Sequence, residues 1–229
     1  RKELLRRHNI TWVTLFDSVC AYYYALSGQI TQIPVLFREH QLSTVNFLAP
    51  GKPMMELIEN QVYLAQQEYA KVIGRSEGLL AVCEAMHYAL VALHIQIQTA
   101  AAYECLGKRT EARNCLKRAL QIALPDQFYL PFVENYEYLE ELLQREIQTA
   151  DAAEHVFLTK VTELGKNCQK RYGALRKTHM FPKIAAELTE QEQRIIELLA
   201  ERLSNREIAE KLFLSEGTIK QYINRIYAK

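Results

Sequence analysis

Turn-forming residues are scarce. Only 8 glycines and 6 prolines occur in 229 residues, and no stretch alternates apolar and polar residues for long. Both absences argue against a strand-rich fold and for long helices, so the expected class is all-α. No apolar run is long enough to cross a membrane. The best, Gly78 to Ile95, is broken by Glu84, His87 and His94. No segment reads as a secretory leader, so a cytoplasmic location is expected. The chain opens on Arg1 rather than methionine, and the expectation is a fragment with something N-terminal to it.

Chemistry-bearing patterns are equally thin. The five cysteines are Cys20, Cys83, Cys105, Cys115 and Cys168, an odd number with no C-x-x-C pair. They fall at apolar helical positions, which favours buried free thiols in a reducing compartment over disulfides. On one helix, Cys83, His87 and His94 would share a face, but no fourth ligand stands at zinc-like spacing, so no metal is expected. No G-x-x-x-x-G-K-[ST] loop is present; Gly51-Lys52-Pro53 is not one. Carboxylates are plentiful but scattered, without a nucleophile–base pair. Neither an enzyme nor a cofactor is expected.

What is there is an uneven charge. The net charge is +1, yet residues 8–159 carry ten basic and seventeen acidic side chains, and residues 160–187 carry seven basic and two acidic. Residues 188–229 carry seven of each. A nucleic-acid-binding end on a non-binding body would show this asymmetry.

Residues 1–176 read as paired helices. Ala21-x-x-Tyr24-x-x-x-Gly28 recurs as Ala100-x-x-Tyr103-x-x-x-Gly107, followed by Ala112, Leu116, Ala119 and Leu124-Pro125. This resembles a tetratricopeptide repeat, in which small residues let two helices approach and an aromatic fills the gap. Counting back thirty-three places a middle repeat, about Met54 to Leu90, on Gly74, Leu79 and Met86. Hairpins are therefore expected at 11–40, 54–90 and 94–124, with a loop at Ser43 to Pro53. Tyr24 is the expected packing residue of Tyr22-Tyr23-Tyr24, with the other two at its edges. A fourth pair follows. It joins an acidic helix, Phe132 to Glu146, to a long helix capped by Asp151 with Phe157, Val161, Leu164, Cys168 and Leu175 on its apolar face. Stacked pairs make a solenoid, whose concave face is a usual binding surface for an effector or a protein. Residues 177–187, with Pro182, read as a linker.

Residues 188–229 hold three short helices marked by their start signals. Thr189 and Ser204 each precede a glutamate by three, Glu192 and Glu207, which makes two capping boxes; Ser215 is a serine N-cap. Apolar residues follow at helical spacing: Ile195, Ile196, Leu198 and Leu199; then Ile208, Ala209 and Leu212; then Ile219, Ile223, Ile226 and Tyr227. Only Phe213 and Leu214 separate the second helix from the third cap, so these two form a helix-turn-helix. If the isoleucines of the third helix face inward, Lys220, Gln221 and Asn224 face outward.

LTEQE followed by LLAERLSNREIAEKLFLSEGTIK resembles the LuxR-type DNA-binding domain, whose pattern runs L-T-x-R-E, S-N-K-E-I-A, then L-x-L-S-x-x-T-V-K. The resemblance implies that Lys220, Gln221 and Asn224 enter the major groove and read bases in double-stranded DNA. It makes Arg206, Thr218, Tyr222 and Arg225 candidates for phosphate contacts, with Asn205 a weaker one. Arg202 stands where the family usually has glycine, and Tyr222 where it has histidine. The sequence stops where the family continues into a fourth helix. Dimers on two half-sites are usual for the family, and a mostly monomeric chain in solution is expected here unless the arm supplies an interface. The order of solenoid then LuxR-type domain is similar to the C-terminal part of MalT-like regulators. The rival expectation is an interaction scaffold whose end domain packs on the arm and never meets DNA.

Overall fold

The computed structural model describes residues 10–45, 49–177, 189–200 and 203–228. The chain divides into two compact units, 1–177 and 178–229. No strand occurs among the described residues.

The first unit is built from helices α1 (Ile10–Leu26), α2 (Val35–Arg38), α3 (Lys52–Ala65), α4 (Tyr69–Ala85), α5 (Ala89–Cys105), α6 (Arg109–Ala123), α7 (Leu130–Glu134), α8 (Tyr136–Ile147) and α9 (Ala152–Lys177). Helix α1 packs on α3, α3 on α5, and α5 on α7 and α8; α4, α6 and α9 form a second row against them. Helix α5 lies between α3, α4, α6 and α8, and its apolar residues are spread around it rather than confined to one face, as expected of a helix enclosed by neighbours. Its Val91, Leu93, Ile95 and Ile97 are buried, each worth roughly 1.5–3 kcal/mol against an exposed state. Ala100, Ala101 and Ala102 are fully buried and let the next helices approach. Several buried polar side chains lie in this layer, and two of them bond within it: the Gln98 amide nitrogen donates to Leu57 O (3.1 Å) and Gln61 Oε1 (2.9 Å) on α3, and the Thr99 hydroxyl donates to Ile95 O (2.7 Å).

One kind of turn closes most of these helices. At Gln67 the backbone N–H donates to Leu64 O, and the next N–H, of Glu68, donates back to Tyr63 O. This is the Schellman pattern, with a left-handed residue just past the helix. The same pair of bonds occurs at Gly28, His40, His87, Gly107 and Gln127, all with φ between 54° and 71°. The last four turns, Gln67, His87, Gly107 and Gln127, recur every twenty residues, so a hairpin repeats every forty. The thirty-three-residue period is thereby corrected. Gly74 is not a break but lies inside α4, with open space beside it. The middle hairpin runs from α3 to α4 and turns at Gln67.

Other expectations change with it. The second arm of the first hairpin is only a 3-10 turn, Ile30–Gln32, and the single turn α2. Pro34 precedes α2 and holds the chain extended there, while Phe37 anchors it in the core. The acidic helix is split at Asn135 into α7 and α8. Asp151 does cap the long helix, its Oδ1 accepting from Glu154 N at 2.9 Å. Phe157 and Val161 are buried and Leu164 and Cys168 half-buried; the side chain of Leu175 lies outside the described residues. Cys83 and Cys115 are buried, Cys20 and Cys168 half-buried, and Cys105 exposed, so the expectation of uniformly buried thiols does not hold. Helix α4 ends at Ala85, which leaves His87 exposed in a turn and His94 on the next helix; the two share no helix face. The linker beyond Lys177, the basic residues 1–7 and Arg202 lie outside the described residues.

The second unit holds α10 (Glu190–Ala200), α11 (Asn205–Leu212) and α12 (Glu216–Ala228). Its core joins Ile195 of α10, Ile208 and Ala209 of α11, and Ile219, Ile223 and Ile226 of α12. Leu198, Leu199, Leu203, Leu212, Leu214 and Tyr222 pack around them. Side chains of Ile196 and Tyr227 lie outside the described residues.

Candidate nucleic-acid interface

Each helix of the second unit starts where its cap says. Thr189 N donates to Glu192 Oε2 (2.7 Å) while Glu192 N donates to Thr189 Oγ1 (3.3 Å). Ser204 and Glu207 repeat the exchange at 2.7 and 3.3 Å. The bonds from the Ser204 hydroxyl and backbone N–H hold the Glu207 carboxyl below the usual carboxylate range. Thr218 N donates to Ser215 Oγ at 3.1 Å.

The turn between α11 and α12 is another Schellman turn. Phe213 N donates to Glu210 O and Leu214 N to Ala209 O. Phe213 takes the left-handed conformation, φ 54°, and its side chain is 95% exposed. The turn directs α12 so that its three isoleucines enter the core and its polar side faces outward.

On that outward side Lys220, Gln221, Asn224 and Arg225 are all exposed. The expected base readers therefore lie together on one accessible helix surface. Two expected DNA contacts are already engaged. Lys220 Nζ lies 3.3 Å from Glu216 Oε1, and Arg206 Nε lies 3.2 Å from Glu210 Oε1, each one helical turn away. These are exposed pairs, worth at most about 0.5 kcal/mol, so they hold either cation only weakly. Arg225 lies over the Tyr222 ring at 5.5 Å. Tyr222 itself is half-buried against the core, so it supports Arg225 and offers a phosphate no more than its phenol group. Thr218 is half-buried, its hydroxyl 2.8 Å from that of Ser215. Asn205 is half-buried at the start of α11.

The first unit has its own polar features. Tyr22 is half-buried at the edge of the core cluster that holds Tyr24, and its hydroxyl donates to Glu134 Oε2 at 2.7 Å, joining α1 to α7 across 112 positions of sequence. Burial pushes the Glu134 carboxyl up and the hydrogen bond from Tyr22 offsets part of that. Burial also pushes the His94 imidazole down to about 4; its ring meets Tyr22 edge-on at 6.5 Å. Tyr24 is in the core, as its spacing implies. Beside Glu134 is a cleft of about 150 Å³ lined by Leu26, Glu137, Gln169 and Tyr172 among others. A larger one of about 460 Å³ opens near Arg75 and Glu59, an ion pair at 2.5 Å. No local pattern marks Glu59 as a buried acid or Glu134 as a half-buried one, because both sit in ordinary helical runs. No described helix is long and apolar enough to cross a membrane.

Three helices with two capping boxes and a left-handed turn before an outward polar helix define a helix-turn-helix unit. Residues 186–229 match the family described as "Bacterial regulatory proteins, luxR family", so the second unit carries a LuxR-family helix-turn-helix domain. The chain is 48% identical over 42 residues to the DNA-binding transcriptional activator DevR/DosR of Mycobacterium tuberculosis, covering 18% of this chain and 19% of that one. It is 34% identical over 90 residues to the uncharacterized transcriptional regulatory protein YxjL of Bacillus subtilis, covering 39% of each. The matches thus span well under half of either relative. No solved structure matches the chain.

Proposed function

We propose that this chain is the DNA-binding part of a bacterial transcription regulator acting in the cytoplasm. The observation that carries this reading is the outward face of α12: Lys220, Gln221 and Asn224 are exposed together on a helix of the LuxR-family domain whose Ile219, Ile223 and Ile226 are turned inward. In this reading α12 enters the major groove. Gln221 and Asn224 pair with adenine, and Lys220 reaches guanine or a phosphate. Arg206, Thr218, Tyr222 and Arg225 contact phosphates and fix the register.

The helical array of the first unit is then the regulatory arm. Its repeated helical pairs ahead of the DNA-binding domain resemble the arrangement of MalT-like regulators, and we assign to it the taking of an effector, a partner protein or another protomer. Specific binding calls for two half-sites and hence two copies on DNA.

Selection of bound fragments from sheared genomic DNA by the full chain tests the reading. Enrichment of a recurring sequence is the expected outcome. Recovery without enrichment, or none at low salt, contradicts it and favours the scaffold, in which the second unit serves only protein contacts.

A further inference from the structure

The cations of the helix-turn-helix unit are balanced. Residues 188–229 hold seven basic and seven acidic side chains, and two of the cations on the proposed DNA side are paired within their own helices. Duplex binding draws a large share of its free energy from cations that displace counterions from phosphates. A neutral reader provides little of that by itself.

The missing charge lies just ahead of it. From 164 to 186 the chain has six lysines and arginines and no aspartate or glutamate. In the described part of this stretch, α9 turns Phe157, Val161 and Gly165 into the core, with Cys168 and Tyr172 half-buried on the same side. Lys166 and Lys170 are one helical turn apart on the opposite side, with Arg171 beside them, and all three are exposed. None forms an ion pair with a described carboxylate, whereas Lys160, a turn and a half earlier, is held by Glu163 at 2.9 Å.

We infer that Lys166, Lys170 and Arg171 form a second DNA-contacting surface that holds duplex phosphates without reading sequence. The inference rests on the DNA-binding reading of the second unit. Exposed lysines and arginine on a rigid helix suit phosphate oxygens, and they offer nothing that discriminates bases from outside a groove. A lipid surface is less suited to them, because an interfacial helix needs large apolar residues on its binding side, whereas Phe157, Leu158 and Val161 of α9 are buried in the core. Being covalently tied to the reader, the surface can be weak alone and still raise the affinity of the whole chain.

The test uses the full chain and a labelled mixed-sequence duplex about three helical turns long, titrated across a salt series by fluorescence anisotropy. The triple variant Lys166→Gln, Lys170→Gln, Arg171→Gln is expected to bind more weakly at low salt. Its log-affinity against log-salt slope should be shallower by roughly two to three units, about 0.9 for each lost phosphate contact. The charge-conserving variant Lys166→Arg, Lys170→Arg, Arg171→Lys should keep the wild-type slope, and both should melt like the wild type. An unchanged slope in the triple variant, with Arg206→Ala flattening it, overturns the second surface and leaves the reader standing. No binding by the wild type at low salt overturns both. Loss of binding to phosphatidylglycerol vesicles or polyglutamate with DNA binding intact assigns the surface elsewhere and also overturns the inference.

Discussion

Gly165 of α9 lies directly over the ring of Tyr136 in α8. A Cβ at Gly165 would sit within 2.8 Å of Tyr136 Cβ and closer still to the ring, and Tyr136 is fully buried. The two helices therefore meet at a distance that only glycine permits. Gly165→Ala should push α9 off α8 and lower stability by about 1–3 kcal/mol or more, read as a lower midpoint in urea unfolding with an unchanged m-value.

The left-handed turns give the opposite kind of substitution. A residue with a Cβ costs roughly 1–2 kcal/mol in that conformation. Gln67→Gly should recover part of it and raise the melting temperature, while Gly107→Ala, at φ 71° with open space around it, should lower it through backbone strain alone. A melt that moves the same way for both would refute the account of the turns.

These turns also explain what the sequence could and could not reveal. Gly28 and Gly107 mark their turns openly, and both were readable. Gln67, His87 and Gln127 adopt the same conformation with side chains that fit any helix, so nothing local marks the twenty-residue spacing, and the tetratricopeptide resemblance implies a shorter period than the structure has. The second unit was readable almost throughout, since Ser204, Glu207 and Ser215 are signals that need only local chemistry. Even there, Phe213 supplies the left-handed turn without a glycine. Pairs such as Tyr22 with Glu134 depend on which helices the fold brings together, and no local pattern carries that.

Acid should weaken the first unit through His94. Burial keeps its folded-state pKa near 4, against an ordinary 6.5, so the unfolded chain binds the proton more readily. Its contribution is fully present above about pH 6.5 and is lost as the pH falls toward 4, on the order of 3 kcal/mol over that window. Glu134, raised by burial, acts in the reverse sense and offsets part of the loss at the acid end. His94→Gln should flatten the dependence of the melting temperature between pH 7 and 5; an equally steep dependence would assign it to other groups.

The capping box at Ser204 should be needed for α11. Ser204→Ala removes a hydroxyl bonded to both Glu207 N and its carboxylate and should cost about 1 kcal/mol, seen as faster amide exchange in α11. The Glu207 carboxyl is held low by the same bonds, so the cap is intact above the usual carboxylate range and fails as the pH falls below it. Above that range, the exchange difference between wild type and Ser204→Ala should be independent of pH.

The central claim is that α12 reads sequence while its neighbours hold the backbone. It is tested most directly by salt titrations of Gln221→Ala, Asn224→Ala and Arg206→Ala on the selected duplex and a scrambled one. The account predicts that the first two lose about 1–3 kcal/mol on the selected duplex and little on the scrambled one. Arg206→Ala should weaken both alike and flatten the salt slope by about one unit. If Gln221→Ala and Asn224→Ala keep the full sequence preference while the domain stays folded, α12 is not the reading element and the account is contradicted.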